Sequence, residues 1–429
     1  PVTLAIGSRE AVHFNSQDLE YGNADKGLSG GVGTGDGDWR LDLAGNLDIE
    51  VLGYARTWDG FVTTLHELAP RAGDDRAVAI LNPGSNRSQA SQLRLVNHGE
   101  ETAKVSVRGV DDRGQSPGAD VQFTVAPNAA RTVTAADIET GADTEGALGD
   151  GTGKWRLVVE SPQPVYAMSL LESPTGHLTN LSSGPVQPVD GTHTVPLFPP
   201  LSDPDGRQGF VRVANRTDRA GTVTVTAIDD TGATRGQVTL SLDAAQTVHF
   251  NSEDLELGNA AKGLAGNVGP GTGNWRLGLT ADVEIDVLGY VRHPDGFLTS
   301  MHDAAPPQKV MPAGRNHRIG FFNPGSNLNQ VSSLRLINPG TEPAEVTITG
   351  RDDRGRSADG SVRVTIPPGA AHTYTATQLE EGGEDLSGAL GDGIGKWRLT
   401  VSSDQPISVM SLLASGTGHL TNLSTAPMR

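Results

Sequence analysis

Short segments in which apolar and polar residues alternate recur along the whole chain. Three consecutive segments show the pattern most clearly: 210–214, 223–227 and 238–242. Successive side chains of a β-strand point to opposite faces, so a period of two residues is typical of a strand with one buried face. The pattern predicts strands of about four to seven residues separated by turns.

Turn and capping residues stand between these segments. The sequence Asp-Asp-x-Gly, whose residues tolerate the backbone angles of tight turns, predicts hairpin turns at 111–114, 229–232 and 352–355. A capping residue followed three positions later by Asp or Gln, with Gly soon after, predicts one turn of helix at 134–139, 251–258 and 375–380.

A sequence repeat underlies this organisation. The tripeptide Trp-Arg-Leu occurs four times, at intervals of 116, 120 and 122 residues. Residues 1–70 and 237–306 align without a gap and are identical at 39 positions, and the segment 146–151 recurs at 388–393. We infer four modules of two alternating types, in the order A-B-A-B.

Proline-rich joints mark the module boundaries. They divide the chain into four modules. The type A modules are the first, which is partial (1–72), and the third (189–311). The type B modules are the second (73–188) and the fourth (312–429). A complete module contains seven or eight short predicted strands. The predicted fold class is all-β, a tandem array of antiparallel Ig-like or fibronectin III-like β-sandwiches, each with one short helical turn.

The first module is predicted to be incomplete. Pro1 aligns with Gln237, so the strands predicted in residues 193–236 of the third module have no counterpart before Pro1. The strand near Val2, Thr3 and Leu4 would then keep an exposed edge, and such edges recruit other chains. We expect self-association or a neighbouring repeat domain to cover this edge, and the chain to be a segment of a longer repeat polypeptide.

Composition and charge disfavour several classes of partner. The 33 basic and 51 acidic residues give a net charge of −18, which argues against nucleic acid. No apolar stretch is long enough for a membrane span, so we expect no membrane insertion. Cysteine is absent, which excludes disulfides, thiolate nucleophiles and cysteine metal sites, and no cofactor is expected.

The tryptophans carry the most specific predictions. A β-sandwich commonly buries one tryptophan between its sheets, so we predict core positions for the four that begin Trp-Arg-Leu: Trp39, Trp155, Trp275 and Trp397. Sugar stacking is the alternative role for them. Trp58 differs because Pro294 occupies its place in the third module, so it is predicted to be exposed and is the candidate contact residue.

The glycine-rich sequence 31–38 resembles a phosphate-binding loop only superficially, because a strand rather than a helix follows it and no Gly-Lys-Ser/Thr occurs. Its acidic residues, with Asp111 and Asp112, leave calcium open as an alternative. In the third module Pro270 and Thr272 stand where this loop has Thr34 and Asp36, so a calcium site in every module is not expected.

Three kinds of histidine recur at equivalent positions: His13 with His249, His66 with His302, and His177 with His419. Neither His-Glu-x-x-His nor Gly-x-Ser-x-Gly occurs. We therefore predict that the histidines pack or form side-chain-to-backbone bonds, with no metal site and no enzymatic activity. A glycosidase with paired carboxylates stays open, although four near-copies of a small module argue for spacing or avidity.

Three short runs carry a resemblance to a known group of proteins: Val-His-Phe-Asn-Ser at 248–252, Asn-Pro-Gly-Ser-Asn at 323–327 and Gly-His-Leu-Thr-Asn at 418–422. The chain resembles, over its whole length, the tandem Ig-like modules of large secreted or surface proteins of bacteria. The resemblance implies an extracellular or bacterial cell-surface location and a scaffold or adhesive role, without known binding residues.

We therefore expect a non-enzymatic extracellular structural or adhesive repeat protein, such as a stalk, a fibre or a surface-layer component. Two alternatives stay open. One is an array of glycan-binding modules, with a surface glycan as partner. The other is an accessory spacer of a secreted enzyme.

Overall fold

The chain folds into small antiparallel β-sheets with few helices, and the predicted all-β fold class is confirmed. The structure, a computed structural model, describes residues 1–308 and 314–425. The predicted boundary at 311/312 lies outside the described residues, as do 426–429. No helix in the described part of the chain is long and apolar enough to cross a membrane.

The first module contains two pairs of short strands, β1 (Thr3–Leu4), β2 (Leu28–Ser29), β3 (Tyr54–Arg56) and β4 (Val62–Thr64). The second module has β5 (Arg71–Ala72), β6 (Asp75–Leu81), β7 (Ala90–Asn97), β8 (Ala103–Val110), β9 (Val121–Val125), β10 (Ala130–Thr134), β11 (Trp155–Glu160), β12 (Val165–Glu172) and β13 (Leu178–Asn180). The predicted boundary assigns β5 to the first module, but β5 pairs with β6.

The third module has β14 (His193–Phe198), β15 (Gln208–Asn215), β16 (Gly221–Ile228), β17 (Thr234–Leu242), β18 (Thr247–Asn251), β19 (Leu264–Ala265), β20 (Trp275–Ala281), β21 (Ile285–Arg292) and β22 (Leu298–Ser300). The fourth has β23 (Asn316–Phe322), β24 (Gln330–Ile337), β25 (Ala344–Arg351), β26 (Val362–Ile366), β27 (Ala371–Thr375), β28 (Trp397–Ser403), β29 (Ser408–Ser415) and β30 (Leu420–Asn422). The α-helices are α1 (Ser16–Tyr21), α2 (Ala135–Thr140), α3 (Ser252–Leu257) and α4 (Ala376–Glu381).

Two sheets pack face to face in each of the second, third and fourth modules. In the second module the strand orders are β10-β7-β12-β13 and β5-β6-β11-β8-β9. Leu93 and Leu95 from the first sheet share a core with Val105, Val107 and Trp155 from the second. The alternating sequence of β8 produces alternating burial, so one face of the strand lines this core.

The short helix of each module fixes the tryptophan of the Trp-Arg-Leu strand. Helix α2 begins with a capping box between Thr134 and Asp137, as the sequence predicts. Glu139 in the same helix accepts hydrogen bonds from Trp155 Nε1 at 2.8 Å and from the Gly84 amide at 2.9 Å. Equivalent tryptophan bonds join Trp39 to Glu20, Trp275 to Glu256 and Trp397 to Glu380.

The first module has an open core. Trp155, Trp275 and Trp397 are buried, whereas Trp39 is 40% exposed, so the core position predicted for Trp39 is wrong. Strands β14 and β16 flank β20, which begins at Trp275. Residues 1–70 align with 237–306 and contain no equivalents of β14 and β16, so no such strand flanks Trp39 in the part of the chain that the structure describes. Among the described residues, β1 pairs only with β2.

A repeated interface joins consecutive modules. The backbone carbonyl of the second Asp in an Asp-Asp-x-Gly turn accepts a hydrogen bond from a backbone amide of the next module. The Thr247 amide donates to the Asp112 carbonyl at 2.8 Å, and the Ala371 amide donates to the Asp230 carbonyl at 3.0 Å. A buried arginine pairs with the carboxylate of the same aspartate, Arg212 with Asp112 at 2.5 Å and Arg335 with Asp230 at 2.6 Å. The turns therefore connect modules as well as strands.

The same interface joins the fourth module back to the first. The Ala11 amide donates to the Asp353 carbonyl at 2.8 Å, and His13 Nε2 lies 3.2 Å from Asp353 Oδ1. An apolar cluster that includes Tyr54 and Phe321 lies between these modules. The four modules thus surround a common axis instead of forming an extended string.

Candidate functional site

Four short strands meet at this axis, one from each module: β4, β13, β22 and β30. Each presents a buried threonine, namely Thr63, Thr179, Thr299 and Thr421, and Thr299 Oγ1 lies 3.4 Å from Thr421 Oγ1. The turns that precede the four strands therefore also converge.

These turns differ between the two module types. The type A turns contain Asp-Gly-Phe, and the Asp295 carboxylate accepts the Phe297 amide at 3.0 Å. The type B turns contain Thr-Gly-His, and Thr175 Oγ1 lies 2.8 Å from His177 Nδ1. Local hydrogen bonds of this kind fix the backbone of a tight turn and orient the side chains that leave it.

The converging side chains form what we call the axial cluster: Asp59, Thr175, His177, Asp295, Thr417 and His419. His177 Nε2 lies 3.1 Å from Asp59 Oδ2, and His419 Nε2 lies 3.0 Å from Asp295 Oδ2. Thr417 Oγ1 donates to Asp59 Oδ2 at 3.0 Å. Each aspartate of a type A module is thus bound by side chains from type B modules.

Aromatic rings close the cluster from one side. Phe61 and Phe297 are buried, and their ring centroids lie 4.4 Å apart in an edge-to-face arrangement. The rings of His177 and His419 lie 4.7 Å apart and contact both phenylalanines. The side chains of the His177–Asp59 pair are therefore nearly buried beside apolar rings, where misplacement of a polar atom is costly.

Hydrogen bonding keeps the aspartates of the cluster ionised. Burial acts to raise the pKa of Asp59, but hydrogen bonds from Thr57, His177 and Thr417 outweigh it and hold the pKa well below its usual range. Burial likewise opposes the bonds from the Phe297 amide and His419, which lower the pKa of Asp295. The cluster therefore contains two carboxylates at neutral pH.

A second pair of carboxyl groups follows β4 and β22 in the chain. Glu67 and Asp303 occupy equivalent positions, and their backbone carbonyls accept from Asn180 at 2.9 Å and Asn422 at 2.8 Å. Burial and the nearby charge of Asp303 raise the pKa of Glu67 to about 8. The protein therefore holds a proton here that an exposed glutamate would release.

Trp58 is exposed, with 93% of its surface accessible. It borders a groove of about 380 Å³ between the first and fourth modules, which is also lined by Arg56, Asp59, Asn329 and Gln330. Gln330 Nε2 donates to the Gly60 carbonyl at 2.7 Å, so one wall of the groove is fixed to the turn that carries Trp58.

The residues considered for calcium have other contacts. Asp111 Oδ1 accepts the amides of Arg113 and Gln115, and its second oxygen accepts the amide of Thr152. Asp38 lies 3.3 Å from Arg94. The structure therefore does not gather the acids of the glycine-rich loop around Asp111.

The axial cluster was not predicted from the sequence. The sequence predicts packing or side-chain-to-backbone bonds for His177 and His419, whereas His177 contacts the side chain of an aspartate 118 positions away. The available signal was that Asp-Gly-Phe and Thr-Gly-His occupy equivalent turns in alternate modules. Comparisons with protein families and with curated proteins find no match to the chain.

Proposed function

We propose that this protein is a non-enzymatic structural or adhesive protein outside the cell, and that its unit is a ring of modules. The observation that carries the proposal is that the side chains of the axial cluster bind one another. The polar atoms of Asp59, Asp295, His177 and His419 bind one another across module boundaries. They serve assembly of the ring, and both histidines are buried beside Phe61 and Phe297.

The repeated interfaces give further support. Buried arginine–aspartate pairs and backbone bonds recur from module to module, which suits a rigid building block. The resemblance to tandem modules of bacterial surface proteins supports the extracellular location.

Electron microscopy of the purified protein at increasing concentration tests the proposal. We expect ring-sized particles that associate into regular assemblies, or that decorate cell surfaces when added to them. Particles that stay single at every concentration and bind no cell surface would contradict it.

A glycan-binding function is the second candidate, and the exposed Trp58 favours it. An exposed indole beside amide and guanidinium groups matches how proteins bind sugars, by stacking against the ring and hydrogen bonding to the hydroxyls. Glycan-array binding that Trp58→Ala abolishes and Trp39→Ala retains would support this candidate. Binding that neither variant changes would exclude the groove beside Trp58.

A further inference from the structure

We infer that the axial cluster binds one divalent transition-metal ion of the zinc class through Asp59, His177 and His419. The three side chains come from the first, second and fourth modules, so the ion would join three modules at the axis. The site uses the same side chains that support the proposed ring, but metal binding is measured separately from assembly.

The ligand atoms lie close to a metal-binding arrangement. Asp59 Oδ2 is 3.1 Å from His177 Nε2 and 3.9 Å from His419 Nδ1, and all three atoms lie within 4.8 Å of one another. Metal–ligand bonds of about 2.0–2.1 Å in a tetrahedral zinc site place ligand atoms roughly 3.4 Å apart. The carboxylate and His177 already fit, and His419 needs to approach by about 1 Å.

Outer hydrogen bonds orient both imidazoles for this role. His177 Nδ1 is 2.8 Å from Thr175 Oγ1, and His419 Nε2 is 3.0 Å from Asp295 Oδ2. A metal-binding histidine characteristically donates its other ring nitrogen to a carboxylate or another oxygen. His177 Nε2 then faces Asp59. His419 Nδ1 lies 2.8 Å from Thr417 Oγ1, so it must exchange this hydrogen bond for the metal ion.

The chemistry of the ligands selects the class of ion. Two imidazole nitrogens and one carboxylate suit zinc and related transition metals, whereas calcium and magnesium prefer sites made of oxygen atoms alone. Side chains of both histidines are nearly buried, and Asp59 is ionised. A dication would balance the two carboxylates of the cluster in an environment where unbalanced charge is unfavourable.

The cluster has room for one ion. Asp295 lies related to Asp59 across the axis, but its contact is the Nε2 atom of His419, which is one of the two imidazoles used by Asp59. Both positions therefore use the His419 ring. We therefore expect a stoichiometry of one ion per chain.

Calorimetric titration of the metal-stripped full chain with Zn²⁺ tests the inference, with Co²⁺ absorption to report the coordination number. We expect one site, a tetrahedral Co²⁺ spectrum and a melting temperature raised by several degrees under saturating Zn²⁺. Asp59→Asn and His419→Gln should each weaken Zn²⁺ binding by at least about 100-fold, and Asp295→Asn by about 10- to 100-fold.

The control variant is His372→Gln, which alters a histidine outside the cluster whose ring bonds to Tyr374. It should bind Zn²⁺ as the unaltered protein does, and circular dichroism should show that every variant is folded. Absence of binding below millimolar Zn²⁺ would overturn the inference. So would binding that Asp59→Asn and His419→Gln leave unchanged.

Discussion

At the scale of single residues, two contacts hold each core tryptophan: the surrounding apolar side chains and a glutamate of the short helix. Trp155→Ala should lower the free energy of unfolding by about 3–5 kcal/mol, because it removes a large buried side chain. Trp39→Ala should cost about 1 kcal/mol or less, because Trp39 is partly exposed. Urea unfolding measures both values, and equal losses would contradict the open core of the first module.

The arginines between modules offer a second comparison of equivalent residues. Arg335 is buried against Asp230, whereas Arg94, at the same position of the second module, is partly exposed and contacts Asp38. Arg335→Ala should cost about 3–5 kcal/mol, because it leaves a carboxylate unpaired at the interface. Arg94→Ala should cost about 1 kcal/mol or less. A similar cost for both in urea unfolding would argue against a repeated interface.

Burial of a side chain could be predicted from the sequence where it depends on contacts within one complete module. The alternation after Trp155 predicts a buried strand, and Trp155 is buried. The hydrogen bond from Trp155 to Glu139 could not be predicted from the sequence, because a charged residue in a short helix is usually solvated.

At the scale of elements, the alternating pattern predicted the strands of the complete modules but not those of the first. Residues 275–281 form β20, whereas the matching sequence from Trp39 forms no strand. A strand needs neighbours for its backbone hydrogen bonds, and β14 and β16 supply them in the third module. Sequence similarity alone therefore did not determine the local structure.

This difference leads to a prediction for an extended variant. A chain in which a second copy of residues 193–236 precedes Pro1 should bury Trp39 and form a strand from Trp39 onward. Tryptophan fluorescence should shift to shorter wavelength, and the melting temperature should rise. The control carries the same addition with Trp39→Phe and should lack most of the shift. An unchanged spectrum in the extended variant would refute the explanation given for Trp39.

At the scale of the whole molecule, the ring could not be predicted from one sequence. The contact that closes the ring joins His13 to Asp353, which lie 340 positions apart in the chain. The sequence around either residue does not indicate which residue it contacts. The repeat predicted the modules, and the proline-rich joints indicated stiff links. The direction in which each module turns relative to the last depends on packing such as that between Tyr54 and Phe321.

The neighbouring carboxyl groups of Glu67 and Asp303 predict a dependence of stability on pH. The folded pKa of Glu67 is about 8, above its ordinary value of 4.5, so the folded state binds more protons between these values. Its contribution to stability is present below about pH 4.5 and is lost as the pH rises through 8. Glu67→Gln should therefore become more stable relative to the unaltered protein as the pH rises from 5 to 8.5. Parallel pH curves in urea unfolding would show that Glu67 has an ordinary pKa.

Small-angle X-ray scattering of the monomer, separated by size exclusion, measures whether the modules close around one axis. A compact arrangement of 429 residues predicts a radius of gyration of about 22–25 Å. Four modules joined as an extended string would give roughly 35 Å or more. A value in the compact range, unchanged by ionic strength, is what the closed ring predicts, and an extended value would contradict it.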